Sequence, residues 1–309
     1  MGILPLMLLF YCTSSVFSFT FSRLLRVSTE EYDNARLDSH IDVQEHIECA
    51  KRCKWNCKAY LFSTTTNLCQ TFSREFCQDS NALVVDPKVL YFTKNNYQSC
   101  DDVSTSCPSG VYPVTATSDG NTLKVFCELQ SPQGPWIVIH NRQDGRVDFY
   151  RGWHQYKQGF GDLNGNFWLG NEIIYKLTTV GYTVLRVELE AWDGSEWYIE
   201  YNTFSLSSEM DGYRLTATDT TGNVYDALSY HTGHRFSTFD SDNEIWNCCS
   251  CAEAHHGAWW YVECVDSNLN GLYQEDKGDD IADSMLWYKV FNGRFHVPMK
   301  KARMMIKKP

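Results

Sequence analysis

The chain has 309 residues and a formal charge of −11, with 43% hydrophobic and 21% charged residues. That balance excludes intrinsic disorder, collagen and coiled coil, and the acidic sum argues against binding nucleic acid through its phosphates. The length predicts about two domains, and the 15% of aromatic residues suits β-strands and recognition surfaces.

Residues 3 to 11 form an apolar run broken by Pro5, followed by small and polar residues through Ser18. Val16 and Ser18 suit a signal peptidase, so residues 1 to 18 read as a signal peptide cleaved after Ser18. Only the terminal amine supplies positive charge there. The run is too short to anchor the chain across about 30 Å of hydrocarbon. A soluble, secreted, extracellular protein without a transmembrane span is therefore expected. Of 13 cysteines, Cys12 leaves with the signal. The remaining even number suits disulfides in an oxidising compartment.

Charge divides the rest unevenly. Residues 19 to 96 carry 10 basic and 10 acidic side chains. The body from Cys100 to Pro298 is −16 (12 minus 28), and the tail from Met299 to Pro309 holds five basic residues and no acidic one. That tail reads as solvated. A domain boundary is expected in the polar stretch from Asn95 to Ser99.

In the first part, Ile41, Val43, Ile47 and Ala50 predict one face of a helix ending near Trp55. Cys49 and Cys53 share a helix face, Cys57 follows one turn later, and the apolar strand Ala59-Tyr60-Leu61-Phe62 leads to Cys69. A second apolar strand is expected at Val89-Leu90-Tyr91-Phe92. This cysteine pattern resembles the PAN/apple module over about residues 27 to 96. The resemblance implies a small disulfide-bonded domain over residues 19 to 96, a helix on an antiparallel sheet with Cys49–Cys69 and Cys53–Cys57 bonded. Zinc held by the four thiols is the competing reading.

Further along, Trp136-Ile137-Val138-Ile139 and Val184-Leu185-Arg186-Val187-Glu188-Leu189 predict strands, the second alternating inward and outward. Asp144-Gly145, Asn164-Gly165 and Asp193-Gly194 predict turns. Asn171 to Leu177 predicts a short helix behind Gly170. Asp240-Ser241-Asp242-Asn243-Glu244 is a dense run of oxygen ligands that suits a hard divalent cation, with a solvated acidic loop as the alternative. No catalytic motif stands out: the chain lacks a G-x-S-x-G elbow, an H-E-x-x-H helix, a Walker loop and a dinucleotide fingerprint. A binding protein rather than an enzyme is expected.

Several blocks carry a more specific resemblance. Among them are Asn141-Arg142-Gln143-Asp144-Gly145, Tyr156-Lys157-Gln158-Gly159-Phe160-Gly161, Phe167-Trp168-Leu169-Gly170-Asn171-Glu172, Phe236-Ser237-Thr238 and Gly257-Ala258-Trp259-Trp260-Tyr261. Together they resemble the fibrinogen C-terminal domain of fibrinogen-related proteins, including ficolins, tachylectins and angiopoietins. The resemblance implies a mixed, β-rich domain over residues 98 to 309 and an α+β chain overall. It also implies Ca2+ held by the carboxylates of Asp242 and Glu244 and the backbone carbonyls of Trp246 and Cys248. Beside the calcium loop it implies a ligand pocket around a Cys251–Cys264 disulfide, with a cis peptide at Glu263–Cys264. Val265 stands where acetyl-binding relatives have a histidine. His256 and Ile281 stand where they have tyrosines, and Ala282 matches their small residue. His255-His256 could alternatively form a transition-metal site.

Resemblance further implies Cys100–Cys127. Cys77, Cys107, Cys248 and Cys249 remain; Cys77–Cys107 and Cys248–Cys249 are the expected pairs, with an interchain bond as the alternative. The function expected is calcium-dependent, lectin-like binding of carbohydrate or acetylated surface ligands in innate defence, as an oligomer for avidity. The alternative is an adhesion, matrix or signalling ligand that binds a cell-surface protein.

Overall fold

A computed structural model of the chain describes residues 97–103, 105, 107–244, 249–276, 282–290 and 295–309, and strands at 8–12, 17–19, 36–40, 59–63, 68–72 and 89–93. Two compact units divide it, residues 1–109 with 113–115, and residues 110–112 with 116–309.

In the first unit, β1 (Leu8–Cys12), β2 (Phe17–Phe19), β3 (Arg36–His40), β4 (Ala59–Ser63), β5 (Leu68–Phe72) and β6 (Val89–Thr93) form one sheet ordered β2-β1-β6-β4-β5-β3. The strands expected at Ala59–Phe62 and Val89–Phe92 are β4 and β6. β6, β4, β5 and β3 are antiparallel neighbours. Cys69 lies on β5, buried and disulfide-bonded. The expected helix ending near Trp55, and Cys49, Cys53, Cys57 and Cys77, lie outside the described residues. Cys100 and Cys107 are buried and disulfide-bonded.

From Gly110 on come β7 (Gly110–Val114), β8 (Leu123–Glu128), β9 (Trp136–Arg142), α1 (Trp153–Gln158), β10 (Phe160–Gly161), β11 (Phe167–Trp168), α2 (Asn171–Thr179), β12 (Val184–Ala191), β13 (Glu196–Leu206), β14 (Leu215–Gly222), α3 (Cys251–Ala254), β15 (Ser267–Asn268), β16 (Leu286–Tyr288) and β17 (His296–Lys307). The main sheet runs β10-β11-β9-β17-β12-β13-β14. β12 alternates as expected. Leu185, Val187 and Leu189 are buried at 3% exposure or less, while Arg186, Glu188 and Glu190 share the other face. α2 starts after Gly170, whose φ is +111° and where a Cβ would come within 2.8 Å of the Gln158 carbonyl carbon. Only glycine fits there. Ile174 and Leu177 turn the helix's buried face to the core.

That core is aromatic. Trp136, Trp168, Trp259, Trp260 and Trp287 are fully buried, and Phe236 packs against Tyr156, Trp168 and Trp260. Cys127, on β8, is also buried and disulfide-bonded.

The basic tail is not a solvated appendage, as the sequence suggests, but the inner strand β17, antiparallel to both β9 and β12. Met299, Ala302, Met304, Met305 and Ile306 are buried beneath it. Its cations meet partners within the fold. Lys300 and Lys301 pair with Glu190, and Arg303 pairs with Glu128 and Glu188. The Lys307 ammonium lies over the Trp136 ring and that of Lys308 over Tyr182. The five like charges dominate the reading because four of the five apolar residues among them are methionines and an alanine, which carry little strand signal, and Ile306 alone is a strong strand former.

Candidate functional site

The acidic loop grows out of the core. Ser237 exchanges backbone hydrogen bonds with Trp259, at 2.8 and 3.2 Å, and its Oγ accepts the backbone N–H of Asn243 at 3.0 Å. The Asn243 amide donates to the Phe236 carbonyl at 2.9 Å. The loop is thus tied down before its carboxylates begin. Asp240, the first of them, is committed elsewhere: its Oδ1 accepts the Trp153 backbone N–H at 2.8 Å, at the start of α1, and the Thr238 hydroxyl at 2.6 Å.

Asp242 and Glu244 follow in the loop. Asp242 is exposed, and its Oδ1 accepts the Glu244 backbone N–H at 3.2 Å. Oε1 of Glu244 accepts the backbone N–H of Cys251. Oε2 is buried and has no hydrogen-bond partner among the described residues. Burial, together with the Asp242 charge, pushes the Glu244 carboxyl up to about 7 against the opposing Cys251 bond. A buried, unsatisfied carboxylate oxygen beside a second carboxylate is what a divalent cation would satisfy. Asp242 and Glu244 therefore fit calcium. Trp246 and Cys248 lie outside the described residues, as does the Cys248 half of the expected Cys248–Cys249 pair. Among the described residues, no three His, Cys, Asp or Glu side chains cluster as a metal site, including His255 and His256.

Cys251 opens α3, capped by the Ser250 hydroxyl, which accepts the Glu253 N–H at 3.2 Å. The expected Cys251–Cys264 disulfide is present, with Cα atoms 5.5 Å apart. The Glu263–Cys264 peptide is cis, also as expected. Val265, after the disulfide, is an apolar side chain buried at 8% exposure.

The two histidines part ways. His255 is the one that meets Ala282: its Nδ1 donates to the Ala282 carbonyl at 2.7 Å, and the ring stacks on Tyr261. His256 takes φ +44° and turns outward, half-exposed, with its ring 5.5 Å from Tyr150 and its Nδ1 3.8 Å from the Asp283 carboxylate. Of the two, His255 is thus the one tied to Ala282, and His256 the one turned toward Tyr150 and Asp283. Tyr150 also meets the exposed Phe239, with ring centroids 4.8 Å apart. Phe239 could have been noticed as an aromatic residue inside an acidic loop. Ile281 lies outside the described residues.

His231 is a further support with no signal in the sequence. It is fully buried. Its Nδ1 lies 2.8 Å from the Trp260 carbonyl, and its Nε2 accepts the Ser267 N–H at 3.1 Å. Those partners require a neutral ring with the proton on Nδ1. The ring ties the Trp259-Trp260 segment to the chain just after the cis peptide.

The C-terminal globular domain of fibrinogen beta and gamma chains matches residues 96–309, and the chain belongs to that family. Fibrinogen-like protein A of Apostichopus parvimensis is 37% identical over 225 residues, 71% of this chain and 78% of that one. Human angiopoietin-related protein 7 is 46% identical over 185 residues, covering 58% of this chain and 53% of that one. Human ficolin-3 is 46% identical over 156 residues, 50% of this chain and 52% of that one. The chain therefore spans about half the length of the latter two relatives. The fibrinogen-like globe domain of human ANGPTL2 aligns at TM-score 0.63 and 34% identity, over 69% of this chain and 99% of that one. Among the described residues, no helix is long and apolar enough to cross a membrane.

Proposed function

We propose that the chain is a secreted recognition protein that binds carbohydrate or acetylated surface ligands through the pocket at Cys251–Cys264, with calcium held beside it. The observation that carries this reading is the Glu244 carboxylate. One of its oxygens holds the first residue of the disulfide, and the other is buried without a donor. A bound Ca2+ would supply the missing positive charge at Asp242 and Glu244. Glu244 would then be fixed, and with it the N–H of Cys251 and the start of α3. The resemblance to ficolin-3 supports a lectin role in innate defence.

A second reading is a signalling or adhesion ligand for a cell-surface protein, in keeping with the likeness to angiopoietin-related protein 7. Val265 favours it, because a buried valine cannot donate a hydrogen bond to an acetyl oxygen. The PAN/apple-like module over residues 19 to 96 would supply further contacts or self-association. The secreted chain would be applied to acetylated resin and to a glycan array, each with and without chelator. Retention that chelator abolishes supports the first reading. No retention on either, with saturable binding to a cell-surface protein, rejects it for the second.

A further inference from the structure

A groove of about 610 Å3 lies on the open face of the main sheet, over β12, β13 and β17. None of the residues at the calcium loop or the disulfide lines it. Its volume falls within the range of small-molecule sites. Four cationic and three anionic side chains line it, close to balance in a chain of net charge −11.

Arg186, Lys301, Arg303, Glu188 and Glu190 are already engaged in ion pairs, buried Arg142 donates to the Leu269 and Gly271 carbonyls, and exposed Glu196 has no ion pair among the described residues. Arg303 donates to Glu128 and to Glu188, each at 2.6 Å. Arg186 donates to Glu188 at 2.8 Å and to Glu200 at 2.7 Å. Lys301 holds Glu190 at 2.5 Å. An anionic ligand would have to break one of these pairs to reach a cation, and a cationic one would find only the single carboxylate of Glu196, whereas hydroxyl groups can use the lone pairs that remain on all the carboxylates. On the same face stands Tyr198, 37% exposed. The Arg186 guanidinium lies 4.1 Å from its ring centroid. One face of the ring is thereby fixed while the residue still offers apolar surface to solvent.

An exposed, immobilised aromatic ring among planar, mutually paired carboxylates and guanidiniums matches a neutral polyol. The ring takes the apolar C–H face of a sugar, and the charged groups take its hydroxyls. We infer that this groove is a second binding site, for a neutral oligosaccharide, and that it acts without calcium. The proposal stands apart from the pocket at Cys251–Cys264.

The test uses the full secreted chain on an array of neutral oligosaccharides lacking acetyl groups, with heparin oligosaccharides as the charged arm, in chelator throughout. The expected result is saturable retention of at least one neutral glycan. Tyr198→Ala should weaken it roughly tenfold, the effect of one lost ring contact, with the melting temperature unchanged. Glu244→Gln should leave it intact, so failure of the calcium reading does not touch this result. Absence of any retained neutral glycan overturns the proposal. So does retention that Tyr198→Ala leaves unaltered, or tighter binding of heparin than of any neutral glycan.

Discussion

Glu244 and Cys251 are joined through a side chain and a backbone: the Glu244 carboxylate accepts the Cys251 N–H while its second oxygen stays buried and unpartnered. Cys251 lies seven positions after Glu244, and the bond couples the acidic loop to the Cys251–Cys264 disulfide. Glu244→Gln removes the charge while preserving the shape and the acceptor for Cys251. The variant should melt no lower than the parent in chelator, because a buried carboxylate without a donor is costly. The parent should gain stability from calcium, about 2.7 kcal/mol at a hundredfold excess over the dissociation constant, and the variant should gain none. Thermal melts of both proteins with calcium and with chelator check this. An equal calcium-induced rise in both would remove Glu244 from the site.

How much of this was legible in the sequence depended on whether the cause was local. Val187 and Leu189 alternate with Glu188 and Glu190 within one strand, so β12 could be read directly. Gly170 announces α2, whereas the Cys251–Cys264 disulfide and the cis peptide before Cys264 are legible only through family resemblance. His255 and His256 were harder. Their roles are divided by a positive φ at His256, which no neighbouring residue type signals. His231 reaches Trp260 across 29 residues and Ser267 across 36, and Arg303 reaches Glu128 across 175. Contacts of that range appear only once the sheet has closed.

His231 gives a pH dependence. Burial lowers its pKa from 6.5 to about 3, so the folded protein keeps the ring neutral where an unfolded chain would protonate it. The unfolded state then binds the extra proton, and stability falls as pH drops below 6.5. The loss grows by about 1.4 kcal/mol per pH unit and levels off near pH 3, where the folded ring also titrates. His231→Gln should be less stable at neutral pH, having lost at least one buried hydrogen bond, but its stability should decline less steeply with acid. Urea denaturation across that window compares the two slopes. Equal slopes would mean that His231 is not the neutral, buried group described.

Arg186 sits between Glu188 and Glu200 on the sheet, with side-chain exposures of 8%, 23% and 10%. Arg186→Leu would leave the Glu188 and Glu200 carboxylates without their shared cation. Removing one partner of a buried pair costs about 3–5 kcal/mol. Glu188 keeps Arg303, so the lower end of that range is expected. Adding Glu200→Gln to Arg186→Leu should restore part of the loss, and a double-mutant cycle in urea measures it. No recovery in the double variant would argue against the pairing as the source of the loss.

The place of β17 leads to the last prediction. The strand lies between β9 and β12, so its backbone N–H and C=O groups pair on both sides, with Met304 opposite His140 on one and Val187 on the other. Deleting residues 299 to 309 would leave β9 and β12 with open edges at the centre of the sheet. It would also remove Met299, Ala302, Met304, Met305 and Ile306 from the core. Burying a methionine or isoleucine side chain is worth about 1.5–3 kcal/mol, so the loss approaches the whole stability of an ordinary domain, about 5–15 kcal/mol. The truncated chain should show no cooperative thermal transition. A shorter deletion of Lys308 and Pro309, beyond the strand, should fold normally and lose only the contact between the Lys308 ammonium and the Tyr182 ring. Circular dichroism melts of the two truncations make the comparison. A cooperative transition in the longer deletion would show that the sheet can close without its inner strand.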